Sequence, residues 1–566
     1  MSVVKLLRVD GDRLSMIGLD CLDGSPLLDI KAYFASTNSV SRALVGLAQA
    51  KKGRAGVMKE SDAINQGDER LSSLSSAAAL SERVNLLREF SPRETGNPEH
   101  VRFVKTISEQ LASLGLHVHK NSYNFDRWSV PADSLCALTV HGTTAGSLGI
   151  PIASTHPYSG CTGPGGITAP LQFVRCVDRW SNCNGKIAVV EVPHPSIPVK
   201  LLLDDVGHLP ADATVFPDSY SHPVLSATVF GPDLASAKRA GAVGVILAWK
   251  GLTAAQAADQ YVPFNLSYQN IPALWVADEH RGQVLDIARH GARATLTLDA
   301  TLSPNAVTDT VWASVEGEIA RESVLVATHT DGCNAVEENG ALGVLELARM
   351  FATGPRPKRT IIFVFVTGHL RIPAVTDHGQ AMTAWLSAHP DWWSGKDGGR
   401  RAVAGVVIEH LGALERTLAR SSDQVQPAVE LTYATNAVMR NILETSWAAR
   451  RKGKVLIAQP NGRIYLGEGE PLYKQGIPAI TLVSVPQYLL AVSKTDLVDV
   501  ELMHEQIGAF ARALLMLESM PAHLIGRADQ VGVVKKILTG LQLLLVIVRV
   551  RWCGLVSTIR RINATA

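Results

Sequence analysis

The chain has 566 residues, 46% hydrophobic and 19% charged, an ordinary balance for globular proteins and enough length for three or four domains. Its 54 Lys and Arg against 52 Asp and Glu leave a formal charge of +2, so no global field draws in nucleic acid or an anionic membrane, and any partner has to be recognised by a local site. The seven cysteines (Cys21, Cys136, Cys161, Cys176, Cys183, Cys333 and Cys553) are scattered without CxxC spacing, which argues against a thiolate zinc site or a disulfide framework, although Cys176 and Cys183 could still pair.

The opening MSVVKLLRVDGDRL alternates charge with short apolar runs and lacks the apolar core and cleavage site of a secretory signal, so a cytoplasmic location is expected. Residues 2–33 read as two short strands around DGDRL, then GLDCLDGSPLLDIKAY, in which Gly and Asp supply turns; the piece is too small to fold alone. It resembles the end of the TsaA-like tRNA methyltransferases, in which a GLDxLDGTPxLDIKPY-like stretch closes a β-rich domain, with Ser25 and Ala32 departing from the pattern. The resemblance stops near residue 40 and leaves out most of that family's S-adenosylmethionine site. It therefore implies a fragment over residues 1–50, a fusion remnant or a misplaced start, without methyltransferase activity. Residues 51–79 are polar, bear Ser and Gly, and lack apolar periodicity, as a linker would.

Leu80 to Leu116 carries helical spacing in VNLLREF and VRFVKTISEQLASLGL, with SPRETGNPEH as the break between two helices, and HVHKNSYNF follows as a strand. From 131 to 300 the pattern shifts to short strands with Gly and Pro turns: GITAPLQFV, NGKIAVVEV, DLASAKRAGAVGVILAW and NIPALWVADEHRGQVL. These segments resemble the protease-associated domain, with its GKIVxV strand, AGAxGVI helix end and IPxxxV strand; an unrelated small α/β insert is the alternative.

Residues 307–331 give two strand-like runs, the second ending in the metal-competent side chains His329 and Asp331. Glu337, Glu338 and Asn339 then precede GALGVLELARMF, a buried amphipathic helix by its spacing, so the carboxylates fall at the mouth of a strand–loop–helix unit. KRTIIFVFVTGHL is an unbroken apolar run that suits a buried parallel strand and ends at His369. AGVVIEHLGALE is the next strand and carries Glu409 and His410; adjacent strand residues point to opposite faces, so only one of the two is expected to enter a pocket.

THTDGCNAVEENGALGVLELAR, with the strands after it, resembles the M28 family of zinc aminopeptidases over residues 80–130 and 301–525. That resemblance implies an α/β zinc-exopeptidase-like fold, a mixed sheet with helices on both faces, carrying the β-rich α/β protease-associated insert at 131–300. It makes His329 a metal ligand, Asp331 the group that orients it, Glu338 the metal-bridging carboxylate where Asp is usual, and Glu409 a further ligand, with His410 a candidate. The family's Glu-Glu pair is absent: His369 and Leu370 stand there, and His369 could act as base or ligand. QGIPAITLVSVPQYLLAVSKTDLVDVEL keeps the last strand and Asp496 but loses the family's histidine; Tyr488 could polarise an intermediate or simply be a strand-end aromatic.

One zinc held by three ligands and a water fits these residues, and a second would be underligated. The expected activity is metal-dependent hydrolysis of peptides or small amides. The alternative is a silent scaffold that binds peptides or proteins through the insert, with a tRNA-modifying remnant as a minor third reading; no nucleic-acid partner is expected. The glycines at 163–166 and 467–469 read as turns, since neither sits between a strand and a helix, and no GxSxG elbow is present. Residues 526–566 are basic and apolar; Leu541 to Val548 is too short for a membrane span, and the Asn563 triplet matches a glycosylation acceptor by chance.

Overall fold

A computed structural model describes residues 5–10, 13–17 and 69–565, apart from 144–145, 176–179, 211–217, 377–378, 420–421 and 493–496. The expected turns at 18–33, most of the linker, Cys176 and Asp496 lie outside these residues. The chain divides into two compact units, Met1–Gly67 and Asp68–Ala566. In the first, Lys5–Asp10 and Arg13–Ile17 pair antiparallel, Lys5 opposite Ile17 and Asp10 opposite Arg13, with a bulge after Leu6. The two strands flank the DGDRL stretch, where the sequence pattern expects them.

The second unit holds a nine-stranded mixed sheet whose members, in chain order, are β1 His119–Ser129, β2 Asp204–Leu209, β3 Thr301–Val315, β4 Ile319–His329, β5 Arg359–Val366, β6 Arg401–Ile408, β7 Val429–Ala434, β8 Lys454–Gln459 and β9 Ala479–Ser484. Their spatial order is β2-β8-β7-β9-β6-β4-β5-β3-β1. The middle four, β9, β6, β4 and β5, run parallel, so their carboxyl ends share one edge, where such sheets place ligands. Every residue of β5, RTIIFVFV, is buried, because helices cover both faces of a parallel strand.

Four helices position the site: α1 Ala77–Glu89, α2 Pro98–Ser113, α3 Gly340–Thr353 and α4 Ala381–Ala388. Ser76 caps α1, and Asn97 caps α2 by accepting from the His100 amide at 2.7 Å, with Pro98 preset for the first turn. Helix α3 starts against β6: a β-carbon on Gly340 would stand 2.2 Å from the Ile408 carbonyl oxygen, so only glycine permits this approach. Phe351 on α3 and Phe363 on β5 belong to the same core cluster, and truncating either to Ala costs ~3–5 kcal/mol. Arg70, inside the stretch read as linker, is buried and ion-paired with Glu518, so ordered packing begins before α1.

Between β1 and β3 the chain builds an eight-stranded α/β sheet from residues 136–298. Three of the segments singled out by sequence become its parallel neighbours Ile187–Pro193, Gly244–Lys250 and Ala273–Val276, and Trp249 stacks on Trp275 at 4.1 Å. One strand from this stretch departs: β2 pairs antiparallel with β8 of the large sheet. Residues 260–264 run back over the site, where Tyr261 donates its amide to the Leu490 carbonyl and Phe264 stacks on His369 at 5.0 Å. Among the described residues no helix is long and apolar enough to cross a membrane.

Candidate metal centre

Three buried side chains meet at the carboxyl edge of the parallel strands. Ligand atoms of His329, which ends β4, and of Glu409 and His410, which follow β6, all lie within 4.8 Å of one another; among the described residues this is the group able to hold a metal. The alternation rule allowed only one of Glu409 and His410 to enter. It fails because β6 ends at Ile408 and His410 takes a left-handed backbone, φ 55°, which turns its ring to the same side as Glu409.

Both imidazoles have one ring nitrogen fixed by a backbone carbonyl. His329 donates from Nδ1 to the Asp331 carbonyl at 2.8 Å, and His410 from Nδ1 to the Ser484 carbonyl at 2.6 Å. The proton is thereby fixed on Nδ1, and each Nε2 lone pair is buried without a partner. Burial, reinforced by the neighbouring His369, lowers His329 to about 4, and burial, reinforced by His329, pushes His410 well below the ordinary imidazole range, so both rings are neutral at pH 7. Burial and the charge of Glu468 raise Glu409 to about 8. A cation would offset that cost. Glu409 also accepts the Glu468 amide at 2.6 Å; a β-carbon on Gly467, φ 82°, would stand 2.7 Å from the Glu409 carboxylate, so this turn needs glycine.

His369 stacks on His329, ring centres 4.3 Å apart, and its Nδ1 lies 3.1 Å from Glu468. Burial alone would lower it, but the hydrogen bond and charge of Glu468, with Glu337 and Asp331, raise it to about 9. At neutral pH it therefore holds its proton. Asp331 accepts from Thr95 and from the Gly368 and Leu370 amides, the latter at 2.9 Å, and it meets His329 through its backbone carbonyl. Burial works against its ionised form, yet the charges of His100, His369 and His329 keep its carboxyl below the usual range.

Glu338 is not one of these three residues. Its carboxylate is fully buried in an ion pair with Arg93, whose guanidinium also donates to the Leu87 carbonyl and lies over the Phe103 ring at 5.3 Å. Backbone bonds in both directions between Arg93 and Gly332 fix this arrangement. Glu337 accepts the Cys333 amide at 2.5 Å, and burial raises it to about 8. Tyr488 donates its hydroxyl to the Leu414 carbonyl at 2.6 Å.

Two residues essential to this layout had no role in the sequence reading. Glu468, flanked by the glycines read as a turn, is fully buried and also accepts the Ala381 and Met382 amides at the start of α4. Arg93 sat in the segment read as a helix break. The Gly-Glu-Gly of 467–469 was the available signal for Glu468; nothing local marks Arg93. Asn339 completes the frame by exchanging two 2.7 Å bonds with the Leu411 backbone, which holds the acidic loop beside His410.

Comparison with solved structures finds the same fold in several peptidases. The fold is similar to the aminopeptidase from Aneurinibacillus sp. strain AM-1 (TM-score 0.53, 16% identity, 79% of this chain and 95% of that one). It is similar to the peptidase M28 precursor from Shewanella amazonensis SB2B (0.55, 16%, 83% and 98%) and to the zinc aminopeptidase BSAP from Bacillus subtilis (0.51, 14%, 83% and 98%). The mixed α/β fold expected from the sequence is thus the one observed. Residues 1–39 match the model of the tRNA-methyltransferase O N-terminal domain. Over 45 residues the chain is 49% identical to a probable S-adenosyl-L-methionine-binding protein from Archaeoglobus fulgidus, a match that spans 8% of this chain and 12% of that relative.

Proposed function

We propose that the second unit is a zinc-dependent hydrolase of peptide or small amide bonds that uses one metal ion. The observation that carries this is the pair of buried, neutral imidazoles with unpartnered Nε2 atoms beside Glu409. Two histidines and a glutamate form a known catalytic zinc set that leaves a fourth position open. When bound, zinc supplies a polarised carbonyl and a water acidic enough to attack near neutral pH.

The chain's own residues do the rest. His369, protonated and aimed by Glu468, is a proton donor for the leaving amine, in place of the base or ligand role considered from sequence. Phe264 from the insert covers His369 and limits water at that side. Glu338, expected as a bridging ligand, is left out of the proposed metal set because it pairs with Arg93. An oxyanion role for Tyr488 is not part of the proposal, since its proton serves Leu414. The insert is read as protease-associated-like, with its Phe264 walling the site beside His369.

The test is hydrolysis of aminoacyl p-nitroanilides by zinc-loaded protein. Turnover that vanishes in His410→Ala, and falls about 100-fold or more in His369→Gln, supports the reading. The second reading, a silent peptide-binding scaffold, draws on the Arg93–Glu338 pair, which removes one carboxylate from metal chemistry. Zinc-loaded protein that binds peptides and turns none over would establish it.

A further inference from the structure

The last helix is α5 Val533–Thr565, and over residues 533–550 it is apolar on two faces. One packs on the protein: Leu543 and Val546 against the Leu201 and Leu202 cluster, Ile547 and Val550 against the core of the insert, with Arg463 donating to the Lys536 carbonyl at 2.7 Å. The other meets solvent. Val534, Ile537, Leu538, Leu541, Leu544, Leu545 and Val548, spaced by three and four residues, are each more than half exposed. A stripe of that length is too large to be scattered surface leucines, and a helix apolar all round needs a second cover.

Charge says what kind. Val533–Thr565 contains Lys535, Lys536, Arg549, Arg551, Arg560 and Arg561 and no Asp or Glu. Six positive charges sit in this helix of a chain whose total is +2, so the remainder is net negative. Lys535 pairs with Asp204 of β2, which anchors the helix, while Arg549 is exposed beside the stripe. A second copy of the helix would bring only like charges together. We propose that α5 lies flat on an anionic lipid surface, apolar stripe inward and basic residues among the headgroups. This differs from a membrane span, which the helix cannot make.

The full-length protein is sedimented with vesicles of phosphatidylcholine alone and of phosphatidylcholine with about a third phosphatidylglycerol. Binding about tenfold tighter to the anionic vesicles is expected, weakened by salt and abolished by Leu541→Glu/Leu545→Glu. Both leucines are solvent-exposed, so thermal unfolding of the variant should match the parent; Arg549→Glu, with a smaller loss of binding, repeats the test if it does not. Failure to sediment with anionic vesicles overturns the proposal. So does a dimer by light scattering that Leu541→Glu/Leu545→Glu converts to monomer, since the stripe would then belong to a second copy.

Discussion

The two acidic sides of the site solve the same problem differently. Glu338, at the mouth of α3, and Glu409, at the end of β6, are both fully buried carboxylates. Glu338 has a permanent counter-charge from Arg93, supplied by the loop before α2. Glu409 has no arginine of that kind: beside it lie two neutral imidazoles, the carboxylate of Glu468 and one backbone amide, and the protonated His369 offsets its burial only in part. A buried carboxylate costs several kcal/mol unless compensated. On the proposed reading, the position to which the chain supplies an arginine is structural, and the one where it leaves Glu409 and two open Nε2 atoms takes an exchangeable cation.

The largest effect should come from breaking the structural side. Arg93→Met strands a buried charge and should cost ~3–5 kcal/mol in urea unfolding, while adding Glu338→Leu should recover most of the loss. A single-variant cost below about 1 kcal/mol would mean that the pair carries no such weight. On the other side the same logic inverts. Saturating zinc, at 100 times its dissociation constant, should stabilise the parent by about 2.7 kcal/mol and His410→Ala not at all; equal stabilisation of both would place the metal elsewhere.

Next comes the pH dependence. The unfolded state protonates its histidines near 6.5, and the folded state holds His329 neutral to about 4. The unfolded chain therefore binds more protons in that window, and stability should fall as pH drops from 6.5 towards 4. Glu409 has the opposite sign: raised to about 8, its contribution is full below 4.5 and lost as pH rises through 8. Zinc should remove this alkaline loss, because it replaces the proton on Glu409; denaturation curves with and without zinc between those limits measure it, and parallel curves would refute it. The smallest effect is expected from Tyr488→Phe, which loses one hydrogen bond and about 1 kcal/mol with turnover unchanged. A large fall in turnover would restore an oxyanion role.

Much of this layout is legible in the sequence where its physics is local. The unbroken run of β5, the amphipathic spacing of α3 and the strand-end position of His329 follow from periodicity and length. Pairings that close across hundreds of residues are not legible. Strand β2 joins β8, some 250 positions later, and Arg93 reaches Glu338 with no pattern linking them. Glu409 and His410 were found as types but misplaced as a pair, because one left-handed residue past a strand overrides alternation. Glu468 was hidden by its glycines, which the turn reading absorbed.

The most direct test is the zinc content of the purified protein, by elemental mass spectrometry, in the parent, Glu338→Gln and His410→Ala. The expected result is one ion per chain in the parent, retained in Glu338→Gln and lost in His410→Ala. Two ions in the parent, none at all, or loss of the ion in Glu338→Gln would contradict a one-metal site at His329, Glu409 and His410.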